Sequence, residues 1–123
     1  MDGENRTVIH NTDLMKPNGL TLDYTQQVLY WTDASHGRIE SSHVNGMNRR
    51  VVSSERIYLP FGISLYRGTL YFTDFLTGIN TVASTGGTVT TIFHNRCKTF
   101  VGIEVVSVER QPAGKIHCLP YNY

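Results

Sequence analysis

Alanine is nearly missing from this sequence, with three in 123 residues. Val, Ile and Thr together number 33. Scarcity of the best helix former beside a wealth of β-branched side chains, which lose rotamer freedom in a helix and suit a pleated surface, excludes a helical protein and predicts an all-β one. Charge of one sign is lacking as well. Eleven Lys and Arg against ten Asp and Glu leave a net charge of +1, without the concentrated basic surface that nucleic acid or an anionic membrane requires. No apolar run approaches the roughly 20 residues that cross a bilayer, and Met1-Asp2-Gly3-Glu4-Asn5-Arg6 is too polar for the apolar stretch of a signal peptide. The two cysteines, Cys97 and Cys118, fit no redox or structural-zinc spacing and leave the compartment open. There is no nucleophile elbow, P-loop, dinucleotide fingerprint or His-Glu-x-x-His, so an enzyme is not expected, nor any cofactor in this segment. Apolar residues at 40% are enough for a packed core and argue against disorder.

What is present is a repeat. Pro17-Asn18-Gly19-Leu20-Thr21-Leu22 returns as Pro60-Phe61-Gly62-Ile63-Ser64-Leu65, and more weakly as Phe100-Val101-Gly102-Ile103-Glu104-Val105. Leu29-Tyr30-Trp31-Thr32-Asp33 returns as Leu70-Tyr71-Phe72-Thr73-Asp74. Asn45-Gly46 followed by Asn48-Arg49 echoes Asp2-Gly3 followed by Asn5-Arg6. Gly19 to Gly62 is 43 residues, Gly62 to Gly102 is 40 and Asp33 to Asp74 is 41, so independent landmarks share one period. Each period reads as four short strands. In the first they are Leu20–Asp23, Val28–Thr32, Arg38–Val44 and Arg49–Ser53, with Asn45-Gly46 as a hairpin turn whose two residues both tolerate positive φ. In the second they are Gly62–Tyr66, Thr69–Thr73, Ile79–Ala83 and Val89–Phe93, with Gly86-Gly87 at the turn. A four-stranded unit of about 40 residues that cannot cover both its faces alone is a propeller blade. The early glycine of each unit belongs where innermost strands crowd around an axis. Two meanders of a sandwich are the competing architecture, and they leave the shared spacing of Gly, Asp and hairpin without a reason.

Tyr30-Trp31-Thr32-Asp33, its variant Tyr71-Phe72-Thr73-Asp74, and the stretches Asp2-Gly3-x-Asn5-Arg6, Pro17-Asn18-Gly19-Leu20-Thr21-Leu22-Asp23 and Leu59-Pro60-Phe61-Gly62 resemble the YWTD repeat, the low-density-lipoprotein-receptor class B repeat. The resemblance runs over nearly the whole chain and is nearest to the low-density lipoprotein receptor-related receptors, with nidogens next. It implies a partial YWTD-type β-propeller: about two four-stranded antiparallel blades plus pieces of the flanking ones. Residues 1–16 would end a preceding blade, 17–54 and 55–97 would be YWTD blades, and 98–108 would hold the first strand of a further blade. Residues 109–123, with Arg110-Gln111-Pro112 ahead of Cys118, would be a linker into an EGF-like module. The family propeller has six blades, so the chain is expected to be a piece of a larger extracellular protein, in which Met1 need not be an initiator.

Roles follow from the same resemblance. Gly19, Tyr30, Trp31, Asp33, Gly62, Tyr71, Phe72 and Asp74 are structural, each Asp at a strand end accepting from backbone N–H groups and locking adjacent blades. A catalytic Asp33–Asp74 pair is the competing reading, with no His or nucleophile pattern to support it. Asn18 would face the ligand side near the axis, or else be a plain turn residue. Phe75 stands where relatives often carry Trp on the ligand-binding rim, whereas Lys16 replaces an aromatic of that pocket. His36, Arg38, Glu55 and Arg56 fall in loops expected on this rim, either as mixed-charge partner contacts or as solvated loop. Five histidines invite a pH-dependent release, though nothing clusters them in sequence. Asn5-Arg6-Thr7 is a glycosylation sequon. Cys118 would pair with a cysteine beyond Tyr123, a Cys97–Cys118 bridge being the alternative, and His94-x-x-Cys97 with His117-Cys118 makes a poor zinc pattern.

The expected function is a non-catalytic extracellular protein-binding module from the ectodomain of an endocytic or signalling receptor, at the cell surface or in endosomes. The alternative is a secreted, nidogen-like basement-membrane protein that binds laminin. Expected partners are extracellular protein ligands, neighbouring blades and an EGF-like module. Nucleic acid is not among them, membrane enters only through parts of a parent protein, and calcium belongs to neighbouring modules.

Overall fold

The computed structural model describes residues 3–94, 100–105 and 116–120. The first sheet runs β1 (Pro17–Asp23), β2 (Val28–Asp33), β3 (Arg38–His43) and β4 (Arg50–Ser53), and the second β5 (Pro60–Tyr66), β6 (Thr69–Asp74), β7 (Gly78–Ala83) and β8 (Thr90–His94). Each is a four-stranded antiparallel meander in sequence order, and a third sheet pairs β9 (Phe100–Val105) with β10 (Ile116–Pro120). This is an all-β, partial YWTD-type propeller with two whole blades. Among the described residues there is no helix long and apolar enough to cross a membrane.

Turn chemistry explains the meanders. Arg67 and Gly68 (φ 46° and 74°) make the two-residue turn between β5 and β6, the mirror-image turn whose twist suits a hairpin. The β3–β4 turn departs from the sequence reading. Of Asn45 and Gly46, only the glycine has positive φ (86°). Its N–H donates to the His43 carbonyl at 2.8 Å, while the His43 N–H donates to Met47 at 2.9 Å. Asn45 is a side-chain acceptor instead, taking the Met47 N–H at 3.0 Å. The turn is therefore a three-residue one closed by a left-handed glycine, and Gly86 repeats it on the Ala83 carbonyl.

The blades approach through backbone at their innermost strands. A Cβ on Gly19 would stand 2.2 Å from the Phe61 carbonyl oxygen, and one on Gly62 2.8 Å from Gly102 Cα. The Leu65 N–H donates to Thr21 Oγ1 at 3.3 Å, and one repeat later the Val105 N–H donates to Ser64 Oγ at 3.1 Å. Thr32 Oγ1 accepts from Gly19 N–H and donates across the gap to the Phe61 carbonyl at 2.6 Å. The main core fills this gap, with Tyr30, Ile39 and Val52 of the first sheet against Ile63, Leu70, Phe72 and Val82 of the second. In a sandwich, equivalent residues of two sheets would face each other. Here Phe72 points toward the first sheet, whereas its counterpart Trp31 lies outside that core and meets the His10 ring at 5.3 Å. The sheets stack in the same sense, as blades do.

Residues 3–16 form no strand among those described. They lie as a strap across the outer face of the first sheet. His10 Nε2 bonds Ser42 Oγ at 2.8 Å, and the Arg49 guanidinium holds the carbonyls of Thr12 and Asp13 at 2.7 and 2.9 Å. The left-handed residues Gly3 and Asn5 (φ 75° and 60°) repeat Gly46 and Asn48 (86° and 55°), so the sequence echo is also a backbone echo. At the other end, the stretch read as a linker contains β10, with Cys118 opposite Ile103 in register. Residues 116–120 add a second strand to the third sheet, because β9 otherwise has an open edge of backbone donors and acceptors. Cys97 lies outside the described residues, and with it the zinc pattern and the Cys97–Cys118 alternative.

Candidate functional site

Two carboxylates build the rim of the blades. Asp33 ends β2 and is fully buried. Its oxygens accept from the N–H groups of Met15 (2.9 Å), Lys16 (3.1 Å), Ser35 (3.1 Å) and His36 (3.2 Å), and pair with His36 Nδ1 at 2.9 Å. Burial works against its charge. The backbone N–H groups of Met15, Lys16 and His36 and the His36 side chain outweigh that and hold its carboxyl far below the usual carboxylate range. Asp74 ends β6 and does the same with Tyr58 (2.8 Å), Leu59 (3.0 Å), Leu76 (2.9 Å) and Thr77 (3.2 Å). Each carboxylate ties the segment entering its blade to the turn after its own strand. Both are saturated by main-chain donors and are 0% exposed, which leaves no free oxygen for a catalytic pair.

What the carboxylates present differs. Around Asp74 the held segments show Tyr58, Leu59, Phe75 and Leu76 to solvent, 38 to 58% exposed. The Phe75 N–H donates to the Leu59 carbonyl at 3.0 Å, so the two segments that carry the four lie side by side. Asn18, exposed beside it, donates from Nδ2 to the Pro60 carbonyl at 3.2 Å and bridges the two blades at the same edge. Glu55 and Arg56 are exposed on the connection leading to Tyr58. His36 and Arg38 sit apart, around Asp33. His36 Nε2 stands 3.4 Å from Asp13, and Arg38 pairs with Asp13 at 2.8 Å and with Glu40 at 3.2 Å. Arg38 therefore clamps the strap. Its hydrogen bond holds the Asp13 carboxyl low, and Asp13 raises Arg38 in return.

The structure thus brings Asn18 and Phe75 together, places Glu55 and Arg56 on the adjoining connection, and sets His36 and Arg38 in a separate charged cluster with Asp13, Glu40 and Arg49. Tyr58, Leu59 and Leu76 were not singled out in the sequence. The available signal was the pair Tyr58-Leu59 following the polar Ser53-Ser54-Glu55-Arg56. The Glu40–Arg49 pair at 3.0 Å had no local signal, its partners being nine positions apart. Asn5 is exposed on the strap. Among the described residues, no three His, Cys, Asp or Glu gather as a metal ion would need.

Blades stacked through glycine and rims held by a strand-end aspartate define a propeller module of the YWTD class. Residues 27–66 match the low-density lipoprotein receptor repeat class B, and the chain carries that repeat. It is 38% identical over 74 residues to the vitellogenin receptor of Solenopsis invicta, covering 60% of this chain and 4% of that protein. To low-density lipoprotein receptor-related protein 5 of Mus musculus it is 35% identical over 113 residues, 90% of this chain and 7% of that one. The crystal structure of a nidogen/laminin complex superposes with a TM-score of 0.74 at 30% identity, over 79% of this chain and 39% of the matched chain. The chain spans less than a tenth of the length of those two curated relatives.

Proposed function

We propose that the chain is a non-catalytic, extracellular protein-binding module of a receptor ectodomain, and that it contacts partners through the Tyr58, Leu59, Phe75 and Leu76 surface with Asn18 at its edge. The observation carrying this is that the buried Asp74 carboxylate holds the backbone of Tyr58, Leu59 and Leu76, and the Leu59 carbonyl that of Phe75, while all four side chains are exposed. Monomeric soluble proteins seldom hold contiguous apolar residues rigidly in water unless something docks there, and aromatic anchors dominate the energetics of such contacts. Pre-ordering by Asp74 removes much of the ordering cost on binding. Glu55 and Arg56 would tune encounter and orientation more than final affinity. Similarity to a vitellogenin receptor and to a low-density lipoprotein receptor-related protein supports a surface receptor that takes its cargo inward.

A nidogen-like matrix role is the second reading, favoured by the superposition on a nidogen/laminin complex. Surface plasmon resonance on the immobilised chain, with vitellogenin and laminin as probes, separates the two. Binding to either, weakened by about tenfold or more in Phe75→Ser with Leu76→Ser, is expected, since an anchor contributes upwards of ~1.4 kcal/mol. Binding that survives the double substitution, or none to either probe, would sink the rim as the site.

A further inference from the structure

The strap begins with a turn that the first blade builds again. Gly3 and Asn5 (φ 75° and 60°) stand as Gly46 and Asn48 do (86° and 55°). In the second blade the same offset from Gly86 falls on Thr88. Asn48 and Thr88 are both exposed. The second blade has the first stacked before it and β9 after it, so the openness of this place is a property of the turn itself. Asn5 and Thr7 are exposed as well. Other asparagine side chains are engaged: Asn18 bonds the Pro60 carbonyl, Asn45 takes the Met47 N–H, and Asn80 is buried among Thr77, Gly78 and Thr91.

This turn lies at the blade edge away from the rim. Asp33 stands opposite Arg38 and Val28 opposite His43, so the β3–β4 turn and the carboxylate are at opposite ends of the sheet. Asp74 and the turn after Ala83 are separated in the same way. The strap climbs from one edge to the other. A Cβ on Gly46 would stand 3.2 Å from the Ile9 carbonyl oxygen, Arg49 holds Thr12 and Asp13, and Asp33 holds Met15 and Lys16. Asn5 precedes all of these contacts, at the foot of the strap.

We propose that Asn5 carries an N-linked oligosaccharide, at the blade edge opposite the Tyr58, Leu59, Phe75 and Leu76 surface. Asn5-Arg6-Thr7 is the only Asn-x-Ser/Thr in the sequence, the acceptor pattern of secreted chains. Asn48-Arg49-Arg50 keeps the asparagine but has arginine where the hydroxyl belongs, so one turn is an acceptor and its repeat is not. The donor is an oligosaccharide on a polyprenyl pyrophosphate. Asn5 Nδ2 attacks its anomeric carbon; the N–C bond forms as the C–O bond to pyrophosphate breaks. The lipid pyrophosphate leaves and one amide proton passes to solvent, with no change of oxidation state. A folded chain keeps so bulky a group only where the asparagine opens to water, and this turn opens to water in each repeat. The proposal rests on the extracellular reading given above, and a sugar in this place leaves the rim free for a partner.

Whole-chain mass spectrometry tests this on the 123-residue chain made behind a cleavable secretion signal in mammalian cells, in lysate and medium alike. The expected species is heavier than the bare chain by one oligosaccharide. Peptide-N-glycosidase F should remove it, leaving a carboxyl in place of the Asn5 amide, with an unchanged circular-dichroism spectrum. Asn5→Gln and Thr7→Ala are expected bare, and Thr7→Ser still glycosylated. In the Asn5→Gln background, Arg50→Thr completes an acceptor at Asn48 and should restore one oligosaccharide. A parent chain at bare mass with its signal removed overturns the proposal and leaves the extracellular reading standing, since that reading needs no sugar. A sugar that persists in Asn5→Gln overturns the assignment to Asn5. An Arg50→Thr chain that stays bare overturns the turn as the accepting place, and a spectrum regained only on removing the sugar overturns its position at an open edge.

Discussion

The two blades share one skeleton and differ in what they do with it. In both, a buried aspartate gathers four backbone N–H groups, a threonine beside it bonds the first strand, and a glycine lets the next backbone in. The first blade then fills its remaining positions with charge. Glu40, 3% exposed, lies between Arg38 and Arg49, and both arginines reach out to the strap. The second blade puts Asn80 at the equivalent place and satisfies it with Thr77, Gly78 and Thr91, all neutral. Its rim is apolar where that of the first is polar. A repeat can therefore conserve the atoms that hold the frame and vary those that face outward. The first blade uses this freedom to fasten a segment of its own chain, the second to display an apolar surface.

The sharpest test of the comparison is aromatic deletion. Phe72→Ala empties a site packed between two sheets and should cost about 4 kcal/mol in urea unfolding, in the range for buried aromatics. Trp31→Ala removes a side chain covered by the strap and the Arg49 guanidinium rather than by a second sheet, and should cost about half as much. Equal costs would mean that the strap packs as well as a blade. Next come the glycines. Gly19→Ala drives a methyl into the Phe61 carbonyl and should cost about 3 kcal/mol, the upper range of overpacking, whereas Gly102→Ala should fall within ~0.5 kcal/mol of the parent.

The aspartates follow. Asp33→Asn and Asp74→Asn should each lose about 2 kcal/mol near neutral pH, since a charged acceptor of several N–H groups becomes a neutral one. The Asp33 carboxyl is held low in the folded state. The stability it contributes is complete above its unfolded value of about 3.9 and drains away as pH falls from there toward the folded value. The gap between parent and Asp33→Asn should therefore narrow as urea melts are taken from about pH 6 down to pH 3. A gap constant with pH would contradict the hydrogen-bond account. The last is Arg49→Ala, which leaves the buried Glu40 to Arg38 and should cost about 2 kcal/mol, with faster proteolysis within residues 3–16 as a second readout.

Much of the frame was legible because its signals are local. Gly19, Gly62 and the two Thr-Asp strand ends recur at one period, and turn residues such as Gly46 and Gly86 mark the hairpins. Asp33 and Asp74 were legible as structural for the same reason. Half of the rim was not. Tyr58 and Leu59 read as core letters, like the buried Ile57 beside them, until the Asp74 carboxylate is seen to turn them outward. The β10 strand was illegible because a Pro-Ala-Gly stretch ahead of it reads as linker, and its pairing depends on the free edge of β9. The strap was illegible because its place depends on Arg49 and Ser42, residues more than thirty positions away.

One consequence of the aspartate sockets lies in what they ignore. Asp74 grips Tyr58, Leu59, Leu76 and Thr77 by main-chain hydrogens alone. Any residue except proline can stand at the first three, whose side chains are exposed, without loosening the grip. The lettering of the surface is thereby uncoupled from the fastening beneath it, and a new specificity could be written there by substitution while the frame underneath stays as it is.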